Sequence, residues 1–302
     1  MTQLHISSSP HIHGQKTTSR IMLDVIIALM PATIAGFIIF GLKALSVVMM
    51  CIAACVISEI IFNKIVGKED TTDDLSAVVT GLLLGLNLPA DTPLWQAAVG
   101  SIFAIVLVKC MFGGIGCNLV NPAVTARVFM LIAFGSLAKP SFPVDSVATA
   151  TPLADGKGVD LLDLFLGNIG GAIGETCKLA LLIGGIYLIL RRVIYWHLPV
   201  TYIGTVFVLS FLIKDFSIVE ALSQVLSGGL ILGAFFMATD YVTSPATPKG
   251  KVIFGVGAGI ITVLIRFWGV YPEGVSFAIL LMNILNPYIN VWSRRKLFGR
   301  AK

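Results

Sequence analysis

The sequence predicts an all-α polytopic membrane protein with about ten transmembrane helices in two inverted repeats of five. Three observations carry that expectation. Of the 302 residues, 56% are hydrophobic and only 12% are charged, with a mean hydropathy of +0.92, whereas a soluble domain is about a quarter charged. Apolar runs long enough to cross roughly 30 Å of hydrocarbon recur along the chain. Two Gly-rich, interrupted apolar runs also stand five crossings apart. Such a composition excludes a soluble enzyme and a nucleic-acid binder, because so few charged side chains cannot cover a water-soluble body.

Residues 1–20 are polar and include His5, His11, His13, Lys16 and Arg20. They read as a cytoplasmic tail, not as a cleavable signal sequence. Full-length runs follow at 21–42, 44–62, 93–112, 172–190, 198–213, 251–270 and 273–290. Three more are short or broken: 75–89 with Gly81, Gly85, Asn87 and Pro89; 122–137 with Arg127; and 219–238 with Gly228, Gly229 and Gly233. An even total places both termini on one side. With that side inside, fifteen Lys and Arg fall on the cytoplasmic side and six, namely Lys43, Lys139, Lys157, Lys178, Lys214 and Arg266, on the other. This is the asymmetry that the positive-inside rule requires.

The third and eighth runs, LSAVVTGLLLGLNLPAD (75–91) and LSGGLILGAFFMATD (226–240), share an LS start, a Gly-rich middle and a closing Asp. Their odd offset inverts one half relative to the other. Broken segments at matching positions of two inverted halves point to a site near the bilayer middle, although Gly in a membrane helix also serves close packing. The organisation expected is a tail (1–20), a first transmembrane repeat (21–137), an external loop (138–160), a second repeat (161–290) and a basic cytoplasmic tail (291–302).

The chemistry-bearing candidate is the external loop, KPSFPVDSVATATPLADGKGVD from Lys139 to Asp160, which has no hydrophobic period. Within it Asp145, Thr149, Ala150 and Thr151 lie in DSVATAT, which resembles the covalent flavinylation pattern of Asp, two variable residues, Ser or Thr, Gly, Ala and Thr. Ala148 and Thr149 depart from that pattern, so an ordinary solvated turn before Pro152 stays open. Such chemistry needs a hydroxyl on a reachable loop with small neighbours. Thr247, in SPATP (244–248), has the same local look but falls on the cytoplasmic side beside Lys249 and Lys251.

The resemblance extends over most of the chain. SPHIHGQKTTSRIMLDVIIALMPA, LSAVVTGLLLGLNLP, GGIGCNLVNPAVTARVFM, GNIGGAIGET and FMATDYVTSPATPKG together resemble the D subunits of Rnf electron transport complexes. The chain is also similar to the B subunits of sodium-translocating NADH:quinone oxidoreductases. That resemblance implies a urea-transporter-like inverted-repeat fold, a covalent FMN on Thr151 attached by an FMN transferase, and a second, non-covalent flavin, riboflavin, within the membrane. It further implies a multisubunit, ion-translocating ferredoxin:NAD oxidoreductase in a bacterial inner membrane, with iron–sulfur and flavin subunits as partners. This chain would then relay electrons without being catalytic alone.

A flavin suits that role because it passes one or two electrons. The chain offers no cysteine cluster for an iron–sulfur site and no His pair at ligand spacing within a span, so no metal is expected. Cys51, Cys55, Cys110, Cys117 and Cys177 read as packing residues. Arg127, Asn118 and Asp240 are candidates for a second flavin or a cation site. Arg127 can equally snorkel, and Asn118 and Asp240 can equally cap helices. Glu175 and Lys178 are expected to pair with each other. Trp95, Trp196, Trp268 and Trp292 read as interfacial anchors. The alternative function on the same fold is a channel or secondary transporter for a small polar solute, since architecture does not fix function.

Overall fold

The computed structural model describes residues 17–68, 72–135, 141–142, 161–167, 169–269 and 273–294. Among them the protein is helical, and the pairing of Ser141 with Gly171 is an isolated bridge.

The first helix, α1 (Thr18–Phe40), starts where the Thr17 hydroxyl accepts from the Arg20 N–H and stops at Gly41, whose φ is 69°. A tight reversal there leads into α2 (Leu42–Val66), which closes on Gly67 in the left-handed conformation that glycine adopts without strain. After a 3₁₀ turn over Thr72–Asp74 comes α3 (Ser76–Leu86), only 11 residues long. Next, α4 (Leu94–Cys110) is α-helical to Ile102 and π-wound from Phe103. The short α5 (Pro122–Ala133) begins on Asn121, whose side chain accepts from the Ala123 and Val124 N–H groups, with Pro122 at the position that needs no donor.

The second half opens with α6 (Leu161–Leu166) and α7 (Lys178–Leu190). The apolar run expected from 172 is helical only from Lys178. Its first part is irregular because Ile173 and Gly174 donate their N–H groups to Leu88 and Leu86 at the end of α3 (3.0 and 2.7 Å) instead of starting a helix. Then follow α8 (His197–Ile213), α9 (Ile218–Leu226), α10 (Leu230–Met237), α11 (Pro248–Trp268) and α12 (Val275–Ser293).

Among the described residues, four helices, α1, α2, α11 and α12, are long and apolar enough to cross a membrane. Helices α9 and α10 make a fifth span if taken as one, bent by 66° at Ser227–Gly229. The remaining apolar helices, α3, α4, α5, α7 and α8, are shorter than a full crossing.

Small residues let the backbones meet closely. Gly81 and Gly85, four apart on α3, would place added Cβ atoms 2.7 Å from the Ile52 Cα and 2.9 Å from the Val48 Cα of α2. Close approach of this kind is how helices bind one another where lipid removes the hydrophobic drive. The four tryptophans lie at or near helix ends and are 53–78% exposed.

Candidate functional site

The breaks in the helices create the site. At the end of the bundle where α1 starts, Ser19 donates to the Asp73 carbonyl (3.0 Å), and Tyr187 of α7 and Arg191 just past its end reach Asp24 of α1. This is the first face. At the opposite face Lys43 pairs with Asp91 (2.9 Å), and the Asp91 N–H donates to Ser141. The Lys43 ammonium holds the Asp91 carboxyl below its usual range.

A cavity of about 350 Å³ opens among α1, α3, the 111–121 segment, the end of α7 and the end of α10. That volume lies within the range of small-molecule sites. Its walls are largely apolar and aromatic, with Val25, Leu83, Phe235 and Phe236, and polar side chains among them include Thr18, Ser76, Lys109, Asn118, Asp240 and Tyr241. The Asn118 Oδ1 is buried and has no hydrogen-bond partner among the described residues. A buried acceptor left without a donor costs about 1–3 kcal/mol, so this atom marks a place for a ligand N–H.

At Asn121, which lines the cavity, three broken helices meet. The Asn121 side chain donates to the Met237 carbonyl at the end of α10 (3.1 Å). Asn87, which closes α3, donates to the Met237 sulfur (3.3 Å). Asn283 of α12, its amide oriented by its neighbours, donates to the Thr243 carbonyl (3.2 Å) and accepts from the Asn121 N–H (3.1 Å). Backbone freed by helix breaks at membrane depth must find partners inside the protein, and these asparagines supply them.

In the wall, Lys109 is 2% exposed and donates to Glu59 of α2 (2.7 Å) and to the Ser76 hydroxyl (2.5 Å). Ser76 in turn donates from both its N–H and its hydroxyl to Asp74. This network was not singled out from the sequence. The available signal is that Lys109 follows an uninterrupted apolar run, IFAIVLV, at a depth where a lysine needs a partner.

A second set of buried charges lies at the other break. Arg266 donates to the Gln224 and Ser227 carbonyls (2.5 and 3.0 Å). Lys178 donates to the Gly228 carbonyl (2.9 Å) and to the Glu175 carbonyl. The contact between Glu175 and Lys178 thus runs through the Glu175 backbone, and both side chains are buried. Arg127 pairs with Glu273 (3.0 Å) and is 2% exposed, so it does not snorkel. Its Nε and Nη1 have no partner among the described residues.

Of the sequence candidates, the structure brings Asn118 and Asp240 together in the cavity wall, while Arg127 is not among the lining residues. Asp145, Thr149, Ala150 and Thr151 lie outside the described residues. The root of their loop is described: Ser141 is clasped between Asp91 and Gly171. Thr247 caps α11, accepting from the Gly250 N–H (3.0 Å) and donating to Ser293 (2.6 Å). Cys51, Cys55 and Cys110 are buried among apolar neighbours.

Comparison with known proteins places the chain. It is similar to the D subunit of the Na(+)-translocating ferredoxin:NAD(+) oxidoreductase complex of Acetobacterium woodii, 46% identical over 99% of this chain and 96% of that protein. Similarity also extends to the D subunit of the proton-translocating ferredoxin:NAD(+) oxidoreductase complex of Clostridium ljungdahlii, at 41% identity over 98% of this chain and 96% of that protein. The D subunit of the ion-translocating oxidoreductase complex of Haemophilus influenzae is 35% identical over 97% of each chain. A sequence model of the NQR2, RnfD, RnfE family matches residues 5–299, and the chain belongs to that family.

Proposed function

We propose that this chain is the membrane subunit of an ion-translocating ferredoxin:NAD oxidoreductase complex that carries electrons through two flavins, an FMN esterified to Thr151 and a riboflavin held in the cavity. The observation that carries the reading is the unpartnered Asn118 Oδ1 in an apolar, aromatic-walled cavity. An isoalloxazine presents one apolar edge and one edge with an N–H between two carbonyls, which suits a wall of this kind with a few amides at one end. Asn118 would accept from the ring N–H, Asn121 and Thr80 would orient the polar edge, and Phe235 and Phe236 would exclude water. Bound there, a flavin supplies a carrier that takes electrons singly or in pairs.

The names of the relatives support the wider role, with electrons passing between ferredoxin and NAD and the flow coupled to sodium or proton transport. In this reading the first face is cytoplasmic, and the loop with Thr151 lies across the bilayer, where an FMN transferase reaches it. The ten crossings form two inverted halves. Lys109 meeting Ser76 and Arg266 meeting Ser227 are then equivalent contacts of the two halves. The solute-pathway reading is disfavoured by Asn121 of the cavity wall, which is tied to Met237 and Asn283 behind it.

The test is mass spectrometry of the peptide spanning 139–160, with flavin released from the denatured complex measured beside it. The expected result is an FMN phosphoester on Thr151 and one further flavin extractable without hydrolysis. Thr151→Ala should abolish flavin fluorescence in a denaturing gel and Thr247→Ala should keep it. A peptide of unmodified mass from active complex would refute the assignment.

A further inference from the structure

We propose that Asp74, Ser76 and Lys109 form the path by which a proton from the first face enters the cavity together with each electron, an inference that rests on the flavin reading above.

Three observations lead to it. Lys109 and Ser76 both stand in the cavity wall, while Asp74 does not line the cavity and sits half-buried in the 3₁₀ turn at the first face. The hydrogen bonds run unbroken from the Lys109 ammonium through the Ser76 hydroxyl to the Asp74 carboxylate. Between Asp74 and Ser76, Leu75 adopts φ 62°, a costly conformation for a bulky side chain, and one that persists where the surroundings impose it. The outcome of that turn is that Ser76 directs both its N–H and its hydroxyl at Asp74. Anchoring alone would be met by Glu59 and Lys109 at 2.7 Å; the continuation to a carboxylate outside the cavity is what a path requires. The other titratable groups near Lys109 are Cys55 and Glu59 of α2 and its neighbour Cys110; Asp240 and Tyr241 line the same cavity.

The step balances as follows. A one-electron donor of the complex, an iron–sulfur centre, delivers an electron to the ring, and unpaired negative charge in an apolar cavity is costly. One N–H bond of the Lys109 ammonium breaks, and its proton bonds to a ring nitrogen, leaving a neutral amine. Ser76 passes its hydroxyl proton to that amine while taking one from Asp74, which water at the first face has protonated. The sum is one electron and one proton gained by the ring, with Lys109 again an ammonium. Glu59, which accepts from Lys109, acts as a positioning residue.

The experiment uses the intact complex with Asp74→Asn, Ser76→Ala and Ser76→Thr. Reduced methyl viologen is mixed in, and the absorbance of the non-covalent flavin is followed in H2O and D2O. Extractable flavin is measured on the same samples. The expected result is that the wild type slows in D2O, while Asp74→Asn and Ser76→Ala, with their flavin retained, reduce it more slowly by roughly 100-fold or more. Ser76→Thr, which keeps the hydroxyl, should restore the wild-type rate. Wild-type rates and an unchanged isotope effect in Asp74→Asn and Ser76→Ala would overturn the path while leaving the flavin reading intact. If wild-type complex yields no extractable flavin, the cavity reading falls, and the path with it.

Discussion

Gly184 sits midway along α7 with α1 on one side and the cavity-lining Phe236 on the other. A Cβ built there overlaps the Ala28 carbonyl oxygen, lies 3.0 Å from the Ala28 carbonyl carbon and 3.1 Å from Phe236 Cζ. Carbon atoms pack at about 3.5–4.0 Å, so Gly184→Ala obliges α1 and α7 to separate by roughly 0.5–1 Å, and the Ala28 backbone offers no flexible end to yield. Overpacking of this size costs about 1–3 kcal/mol. For a chain of this size that corresponds to a fall in thermal midpoint of roughly 2–10 °C. The matched control is Gly204→Ala in α8, where nothing stands within 4 Å of the added methyl and better helix propensity is the only change. The assay is heat treatment of detergent-solubilised complex, followed by the fraction remaining monodisperse and by retained non-covalent flavin. Gly184→Ala should lower both, since Phe236 is pressed towards the cavity, while Gly204→Ala should leave both unchanged or slightly raised. Equal midpoints for the two variants would refute the close-packing argument for this helix pair.

Asn118→Ala should lower the affinity for the extractable flavin about 5- to 10-fold, the worth of one neutral hydrogen bond of about 1–1.5 kcal/mol. Flavin retained after extensive washing checks this, and the gel fluorescence assigned to Thr151 should not change. Arg127→Leu leaves the Glu273 carboxylate without the partner seen at 3.0 Å. Breaking a fully buried pair costs about 3–5 kcal/mol. Glu273 is 27% exposed, so the lower end of that range is expected. The measured signature is a lower thermal midpoint with normal cavity flavin, partly recovered by adding Glu273→Gln.

Much of the helical order was legible because lipid-facing helices advertise themselves by length and hydropathy. The break at 227–229 was visible too, as a Gly-rich interruption of an apolar run, whereas Gly81 and Gly85 do not interrupt α3, which runs through them to Leu86. What the sequence hid were helix lengths decided by contact between segments far apart. The run from 172 becomes helix only at Lys178, because the preceding backbone is engaged by Leu86 and Leu88. That α3 is short was legible in the run broken at Asn87 and Pro89, but not that Asn87 would turn to Met237, 150 positions away. In the candidate site, Asn118 and Asp240 were within reach of sequence reasoning as polar groups beside broken helices. The network through Lys109 was not, since its partners Glu59 and Ser76 lie 50 and 33 positions away.

The bend between α9 and α10 bears on how charge inside such proteins is interpreted. At that corner Gln224, Ser227 and Gly228 turn their carbonyls away from a continuous helix, and Arg266 and Lys178 answer them directly. These cations therefore substitute for missing amide donors, a need set by geometry before any cargo is considered. A hunt for an ion route guided by buried basic residues would stop at them first, and neutralising either would unhinge a corner before it blocked a passage.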